Sequence, residues 1–283
     1  MRQLNDISQE RDSMQTIVEL TGAFEGIASM RIGQIKSQVQ NSEQFFGELW
    51  KIYRQIRVDE LFHFGRSQSF GSVVNKELLI LITSEGGLSG DIDQTLIGQA
   101  LSYYRPEKND IIVIGHHGTI QLAQAHVDFV KSFKLPAQDR NINVTPLVNE
   151  VQKYSSTTVF YQSYISLTNL AIRKIQLSAA VAERGKRVSD RSEIISERNY
   201  IFEPSTYEVV DHLERSMMQI TLSEVILESK LAQYASRFRA MSTARNIADE
   251  AFTDLNTSYN RARRHQKDER LKEIINSQSG APV

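Results

Sequence analysis

The sequence predicts an α/β fold in which a long antiparallel two-helix coiled coil, made by the N- and C-terminal arms, carries an inserted Rossmann-like α/β domain. Three observations predict it: residues 1–105 lack proline, residues 205–281 lack proline, and continuous apolar runs typical of buried parallel strands lie between them. We place the boundaries as follows: N-terminal coiled-coil arm 1–60, α/β domain 75–182, loop and short strand 183–204, C-terminal coiled-coil arm 205–278.

Composition excludes several classes of function. The 283 residues are 40% hydrophobic, which suffices for a core, and 33 basic residues nearly balance 34 acidic ones. We therefore expect no nucleic-acid partner. The absence of cysteine excludes disulfides, thiolate metal sites and cysteine nucleophiles. No apolar run is long enough to span a bilayer, so we expect a soluble chain without direct membrane insertion.

The C-terminal arm predicts one long helix with a narrow apolar seam. Ser205 after Pro204, with Glu208 three residues later, forms a capping box, and no glycine occurs between Gly185 and Gly280. A spacing that alternates between four and three residues has a period of 3.5, which is typical of a left-handed coiled coil. Only Glu224 and Arg245 interrupt the seam, whose members are Leu213, Met217, Ile220, Leu227, Leu231, Tyr234, Phe238, Met241, Ala248, Phe252, Leu255, Tyr259 and Ala262.

The N-terminal arm offers the partner helix, so residues 3–57 and 206–275 are predicted to form the coil. The alternative is two separate helices packed on a globular body. The arm has a less regular seam, because polar residues occupy four of its places and four glycines weaken the helix. We assign to this seam Ile17, Phe24, Ala28, Ile35, Phe45, Leu49, Ile52 and Ile56, with Thr21, Arg31, Gln38 and Ser42 between them.

The middle of the chain alternates between strand and helix patterns. Residues 78–82 and 111–114 are continuous apolar runs of the kind found in buried parallel strands. The remaining predicted elements are helices at 91–104, 117–125 and 145–156, a short strand at 127–133, and a hairpin of strands 159–167 and 170–181 that turns at Thr168-Asn169.

Candidate chemistry in the α/β domain is sparse. The segment Ser84–Asp91 follows a strand and opens a helix, where phosphate sites form, but it lacks the glycine spacing, and Glu85 and Asp91 are acidic. A structural turn with a helix cap is favoured. His116-His117 is interpreted as a turn that exposes two histidines, because a metal needs three or four convergent ligands. We predict no catalytic residue, no metal and no cofactor.

The C-terminal end of the chain is locally basic. Six basic residues stand against Asp268 and Glu269 within 261–272. A solvated helix face, a nucleic-acid site and a socket in a protein partner are the alternatives. The absence of interleaved aromatic residues argues against nucleic acid.

Several motifs together resemble the gamma subunit, the rotating central stalk of F-type ATP synthases, over essentially the whole chain. The matches at the C-terminal arm are the most specific. The turn at 84–90 resembles that family's Ser-Asp-Arg-Gly-Leu-Cys-Gly, with Gly86 for Arg and Ser89 for Cys, and Leu20–Phe24 resembles its Ile-Thr-Lys-Ala-Met. The C-terminal matches are Tyr200-Ile201-Phe202-Glu203-Pro204-Ser205, Glu228 through Arg237, Ala240-Met241 and Tyr259-Asn260-Arg261-Ala262-Arg263.

This resemblance implies a rotor without an active site of its own. The coil would turn inside a ring of alpha and beta subunits, and an epsilon-type subunit and a membrane rotor ring would bind at the foot. The chain would be peripheral, on the cytoplasmic side of an energy-transducing membrane of a bacterium. Carried over by position, the ring-contact residues are Phe24, Arg237, Met241, Arg263 and Arg264.

Departures from the family keep a second hypothesis open. Arg263 is followed by Arg264, His265, Gln266 and Lys267, a more charged tip than the family usually has. Residues 1–60 also carry nine acidic against seven basic residues, where the family is usually basic. These features fit a divergent member. The alternative from another class is a coiled-coil adaptor with an α/β domain that binds a ligand or partner.

Overall fold

The computed structural model describes residues 4–55, 74–137, 139, 142–167, 169–177, 203 and 205–279. Within them, two long helices precede and follow, in chain order, a five-stranded sheet with three shorter helices, as the sequence predicted. In chain order the elements are α1 (Leu4–Gln55), β1 (Val74–Ile82), α2 (Ile92–Tyr103), β2 (Asn109–Ile114), α3 (His116–Gln124), β3 (Lys131–Phe133), α4 (Thr145–Val151), β4 (Tyr154–Tyr164), β5 (Leu170–Gln176) and α5 (Thr206–Ser279).

The chain divides into two compact units, and each contains parts of both long helices. Unit one is Met1–Ile27 with Phe238–Val283, and unit two is Ala28–Arg237. Among the described residues, unit one therefore consists of helix segments alone, whereas unit two also contains the sheet. The loop and short strand predicted for 183–204 lie outside the described residues apart from Glu203.

The helices of unit one run antiparallel. The Arg11 guanidinium lies 4.4 Å from the centre of the Tyr259 ring, and further along α1 Glu25 accepts a 3.1 Å ion pair from Arg245. Along the contact, residue numbers therefore increase on α1 while they decrease on α5. Ile7, Met241 and Ala248 are buried in this seam.

In unit two, taken by itself, α1 and α5 also run antiparallel, around larger side chains. Ile35 packs against Leu227 and Leu231, and Phe46 and Trp50 pack against Met217. A buried ion cluster joins both helices to the loop after β3. Arg31 donates to the Asp139 carboxylate at 3.1 Å. The buried Lys230 contacts the same carboxylate and donates to the Pro136 carbonyl at 2.7 Å.

The predicted seam of the C-terminal arm is confirmed. Every seam residue is buried or half-buried, from Leu213 at the start to Ala262 at the end. The predicted helix start is also confirmed, because α5 begins at Thr206 and the Glu208 amide donates to Ser205 Oγ at 3.3 Å. This bond satisfies one of the amides that a helix N-terminus leaves without a partner.

The predicted seam of the N-terminal arm is half wrong. Ala28 and Ile35 are buried and Leu49 is half-buried, but Ile17, Phe24, Phe45 and Ile52 are 39–59% exposed, and Ile56 lies outside the described residues. At every second seam position, the residue that is buried lies one place later in the sequence than the predicted one. The buried face consists of Val18, Thr21, Glu25, Ala28, Ile32, Ile35, Val39, Ser42 and Phe46, all buried or half-buried.

The physical reason is that polar residues on this face find partners inside the coil. Thr21 donates its hydroxyl to the carbonyls of Ile17 and Val18, and Glu25 pairs with Arg245. Satisfied polar groups cost little to bury. Apolar residues of α1 therefore form two stripes, and only one of them meets α5.

The sheet has the order β3-β2-β1-β4-β5, with β1, β2, β3 and β4 parallel and β5 antiparallel to β4. Leu78 to Ile82 are fully buried because both faces of β1 are covered. Ile80 packs with Leu222 and Val225 of α5 on one face. Leu79 packs with Leu96 of α2 on the other.

Some predicted boundaries in the α/β domain are wrong. Helix α4 ends at Val151 rather than 156, and β3 covers only Lys131–Phe133. Strand β4 runs from Tyr154 to Tyr164 rather than 159–167. Its first half is rich in serine and threonine yet largely buried, because β4 pairs with β1 on one side and β5 on the other. The hairpin of β4 and β5 is confirmed.

Candidate functional site

The sheet changes its direction of winding between β1 and β4. The chain passes from β1 to β2 to β3 and then returns to place β4 on the other side of β1. In doubly wound sheets, ligands bind outside the carboxyl ends of the strands at such a switch point. The side chains that reach this place are Ser84, Asp93 and Gln162.

The buried carboxylate of Asp93 lies at this switch point. It is 2% exposed and accepts hydrogen bonds from the Ser84 amide at 3.1 Å, the Ser84 hydroxyl, and Gln162 Nε2 at 2.8 Å. His117 Nδ1 lies 3.4 Å from the same carboxylate. These bonds tie the turn after β1 to the first turn of α2, as expected of a structural turn. Asp91, at the N-cap of α2, makes no capping side-chain bond, which corrects the expected cap.

Side chains of α5 fill the remaining space. The Ser229 hydroxyl and Gln233 Nε2 both donate to Gln162 Oε1, and Gln233 also donates to Ser229 Oγ at 3.1 Å. One turn further along, the Ser236 hydroxyl donates to the Ser89 carbonyl at 2.6 Å. The chain's own C-terminal helix therefore takes the position that a ligand takes in related architectures.

The turn at 84–90 is held from two sides. On one side, the Glu85 carboxylate accepts the amides of His116 at 3.2 Å and Leu135 at 3.1 Å. On the other, the Arg237 guanidinium donates to the carbonyls of Gly86 at 3.3 Å and Gly87 at 3.2 Å. The turn links the loops after β1, β2 and β3 to helix α5.

The two adjacent histidines begin α3 instead of forming an exposed turn. His116 is exposed and His117 is half-buried beside Asp93. The flanking glycines are required by close packing. At Gly115, where φ is +100°, an added Cβ would lie 2.2 Å from the Thr83 carbonyl oxygen, and at Gly118 it would lie 2.6 Å from Thr83 Oγ1. In the described part of the chain, no cluster of three potential metal ligands occurs.

The five residues expected to contact a ring fall into different environments. Phe24 is 39% exposed, and Arg263 and Arg264 are exposed on α5. Met241 is 7% exposed in the seam. Arg237 is half-buried with its guanidinium on the turn. Arg237 belongs to unit two and the other four to unit one.

An exposed apolar stripe on α1 is the surface that sequence reasoning misassigned. Ile17, Leu20, Phe24 and Ile27 follow one another at steps of three, four and three, and each is 39–53% exposed. The spacing places them on one face of the helix. Half of this stripe was assigned to the seam with α5. A smaller exposed apolar group, Leu271, Ile274 and Ile275, lies near the end of α5.

Comparisons with known proteins agree with this architecture. The ATP synthase gamma chains of Mycoplasmoides gallisepticum and Lachnoclostridium phytofermentans are each 23% identical to this chain, in alignments that cover 97% of it and 98% of the relative. The sequence model of the family described as ATP synthase matches residues 3–280. The chain belongs to the gamma family of F-type ATP synthases. The resemblance deduced from its motifs is thereby confirmed.

A solved structure shares the gamma-family fold. The match is in the central stalk/c-ring structure of the Tetrahymena thermophila mitochondrial ATP synthase. It has a TM-score of 0.56 and 18% identity, and it covers 80% of this chain and 99% of that one. In the described part of this gamma-family chain, no helix has a stretch of sufficient length and hydrophobicity to cross a membrane.

Proposed function

We propose that this chain is the central rotor shaft of an F-type ATP synthase or ATPase. It would couple ion-driven rotation mechanically to ATP synthesis or hydrolysis in a surrounding ring of alpha and beta subunits. Membership of the gamma family over residues 3–280 supports this function. The structural observation that carries it is the chemical difference between the two exposed faces of the coil in unit one.

One face of that coil is apolar and belongs to α1. It is the stripe of Ile17, Leu20, Phe24 and Ile27. Exposed apolar stripes of this kind mark surfaces that a partner covers. Because the coil segment consists of two helices only, a partner that surrounds it has access to this face.

The exposed surface of α5 in unit one carries many charges instead. It is first acidic, with exposed Asp249, Glu250 and Asp254, and then basic. The basic part comprises the exposed Arg261, Arg263, Arg264, Lys267, Arg270 and Lys272. Because α1 exposes apolar residues and α5 exposes charged ones, the shaft is asymmetric about its long axis.

Asymmetry of this kind supplies a coupling mechanism. A ligand shifts a conformational equilibrium only by the difference between its affinities for the two states. A catalytic subunit that faces the apolar stripe experiences different contacts from one that faces the charged band. Rotation of the shaft would therefore favour a different conformation in each subunit of the ring in turn, without any active site on the shaft.

The ring-contact residues remain part of this proposal. Phe24, Arg263 and Arg264 would touch the ring directly, and the exposure of their side chains supports this. Met241 would act through the shape of the coil, since it is buried in the seam. Arg237 keeps part of its surface exposed while it donates to the turn at 84–90.

At the foot, we propose contacts with an epsilon-type subunit and a membrane rotor ring. The chain would then be peripheral to an energy-transducing membrane, on its cytoplasmic side. The Tetrahymena structure that shares this fold is titled as a central stalk with its c-ring, which supports the assignment.

Co-expression with the alpha and beta subunits of the same source tests the function. We expect one copy of the chain for each ring, ATP hydrolysis by the complex, and none by the isolated chain, since Asp93 and Ser229 bond to Gln162 at the switch point where a nucleotide would bind. A chain that fails to co-purify with the ring, or that purifies instead with a small ligand, would favour the adaptor hypothesis.

A further inference from the structure

The turn at 84–90 contains a residue in a costly backbone conformation. Leu88 has φ +68°, in the left-handed region that residues with a Cβ avoid. Its side chain is 54% exposed, so burial of the side chain offsets little of this cost. Such a conformation persists only where the surroundings impose it. The groups that impose it should therefore be found around the turn rather than in Leu88 itself.

Two neighbouring residues of α5 hold the turn on both sides of Leu88. Arg237 donates to the carbonyls of Gly86 and Gly87, and Ser236 donates to the carbonyl of Ser89. The Arg237 guanidinium also lies 5.4 Å from the centre of the Tyr234 ring, which restricts its orientation. A planar guanidinium with several donors can bind two successive carbonyls at once.

The contact between α5 and the α/β domain has two chemically distinct halves. Met218, Leu222, Val225 and Ile226 pack into the apolar core of the sheet. From Glu228 to Arg237 hydrogen bonds are added to apolar packing. The Ser163 hydroxyl donates to Glu228 at 2.6 Å, while Leu231 still packs beside Ile142 and Tyr164. Because the apolar packing of Met218 to Ile226 does not involve the turn, we expect the domain to stay folded when the bonds to the turn are broken.

We propose that Arg237 is a positioning residue: with Ser236 it latches the 84–90 turn to α5, and this latch fixes how the rotor presents Leu88. The inference rests on the proposed rotor function for its consequence, but the latch itself is a property of the chain alone. It differs from the role carried over from the family resemblance, in which Arg237 contacts the ring.

Thiol labelling of the full chain tests the latch. The chain has no cysteine, and Ser89 is 2% exposed, so a Ser89→Cys variant carries one buried thiol that reacts only when the turn opens. Adding Arg237→Leu should raise the labelling rate about tenfold or more, since charge-assisted hydrogen bonds are lost. Arg237→Lys should give an intermediate labelling rate, because lysine keeps the positive charge but lacks the planar guanidinium that binds two carbonyls at once.

Arg173→Leu is the matched control, because Arg173 is exposed on β5 and its loss should leave the labelling rate unchanged. Thermal unfolding of each variant separates local opening from global instability. An Arg237→Leu rate equal to that of the Ser89→Cys parent, at equal global stability, would overturn the latch.

The assembled complex tests the consequence for rotation. With native Ser89, Arg237→Leu should lower ATP hydrolysis by the complex several-fold, and Arg237→Lys should restore part of it. Faster labelling with unchanged hydrolysis would refute the role in rotation. Unchanged labelling with reduced hydrolysis would assign Arg237 to direct ring contact instead. If the wild-type chain does not assemble with the ring, the proposed function fails, whatever the labelling rates show.

Discussion

The two units contain the same pair of helices, but different forces stabilise them. In unit two, α5 is buried on its apolar side by a sheet, and its polar side is bonded to loops. In unit one, α5 has only a thin seam with α1, and the outer faces of both helices are exposed. Helices in water are stable mainly through tertiary packing. Unit two therefore supplies stability, while unit one leaves surface available for a partner.

The comparison predicts different costs for the same truncation in the two units. Leu222→Ala removes a fully buried side chain from the core of unit two and should lower the free energy of unfolding by about 2–5 kcal/mol. Leu255→Ala removes a half-buried seam residue from unit one and should cost about 1–2 kcal/mol. Urea titration followed by circular dichroism measures both. Equal costs would show that the seam of unit one is as well packed as the core.

A charge on the apolar stripe should damage assembly but not folding. Phe24→Glu would place a carboxylate in a contact that excludes water, so we expect retention in the alpha/beta complex to weaken at least about tenfold. The free energy of unfolding of the isolated chain should change by less than about 0.5 kcal/mol, because Phe24 is partly exposed and outside the seam.

Gly26→Glu provides the control for Phe24→Glu. An added side chain at Gly26 meets open space, and position 26 lies on a different face of α1 from the stripe. This variant adds the same charge and should assemble normally. Equal losses in the two variants would mean that charge anywhere on α1 is harmful, and the stripe would lose its special role.

The basic tip of unit one offers a smaller effect. If Arg263 and Arg264 bond to groups of the ring, replacing both by alanine should weaken coupling or assembly, because desolvated charge-assisted hydrogen bonds contribute roughly 1.5–3 kcal/mol each. If they are solvated, the loss is about 0–1 kcal/mol. Hydrolysis rate and subunit retention of the complex distinguish these outcomes. The Arg263→Lys/Arg264→Lys variant keeps the charge and shows whether coupling or assembly needs the planar guanidinium groups.

The smallest effect concerns a carboxyl in the coil of unit two. Burial raises the pKa of Glu214 to about 7, although its bond from the Tyr53 hydroxyl at 3.4 Å opposes the shift, and nearby Asp211 adds to it. Asp211 itself pairs with Arg215. A carboxyl whose folded pKa lies above its unfolded value holds its proton more tightly in the folded state. Stability is therefore lost as pH rises from about 4.5 to about 7.

Glu214→Gln removes this titration. Compared with the variant, the wild-type chain should lose on the order of 1 kcal/mol between pH 5 and pH 8, a modest value because the side chain is partly exposed. Unfolding measured at both pH values for both proteins gives the difference. A wild-type profile parallel to that of the variant would mean that Glu214 is ionised throughout.

Much of the fold could be predicted from local pattern. The buried runs of β1 and β2, the hairpin of β4 and β5, the start of α5 at its capping serine and the whole α5 seam follow from periodicity and helix-end chemistry. These features depend on residues close together in sequence. The family resemblance could be predicted for the same reason, because its motifs are contiguous segments.

The face of α1 that meets α5 was decided only by tertiary structure. Two stripes of similar apolar content run along this helix, and sequence periodicity does not distinguish them. Both candidate faces contain Thr21, and they differ at Glu25, which takes the place predicted for Phe24 and pairs with Arg245. Arg245 lies 220 residues away from Glu25 in the chain. No local pattern contains that information.

The sequence by itself determined the long helices, the parallel strands and the absence of a phosphate loop, because each depends on backbone preferences and short-range spacing. Tertiary structure alone decided the partners of the buried polar groups. Hydrogen bonds join residues 9 to 151 positions apart in the chain. The Asp93 carboxylate accepts from Ser84 and Gln162, and Arg237 donates to Gly86. Such bonds depend on which elements the fold brings together, and burial without a partner is costly enough that the fold must provide one.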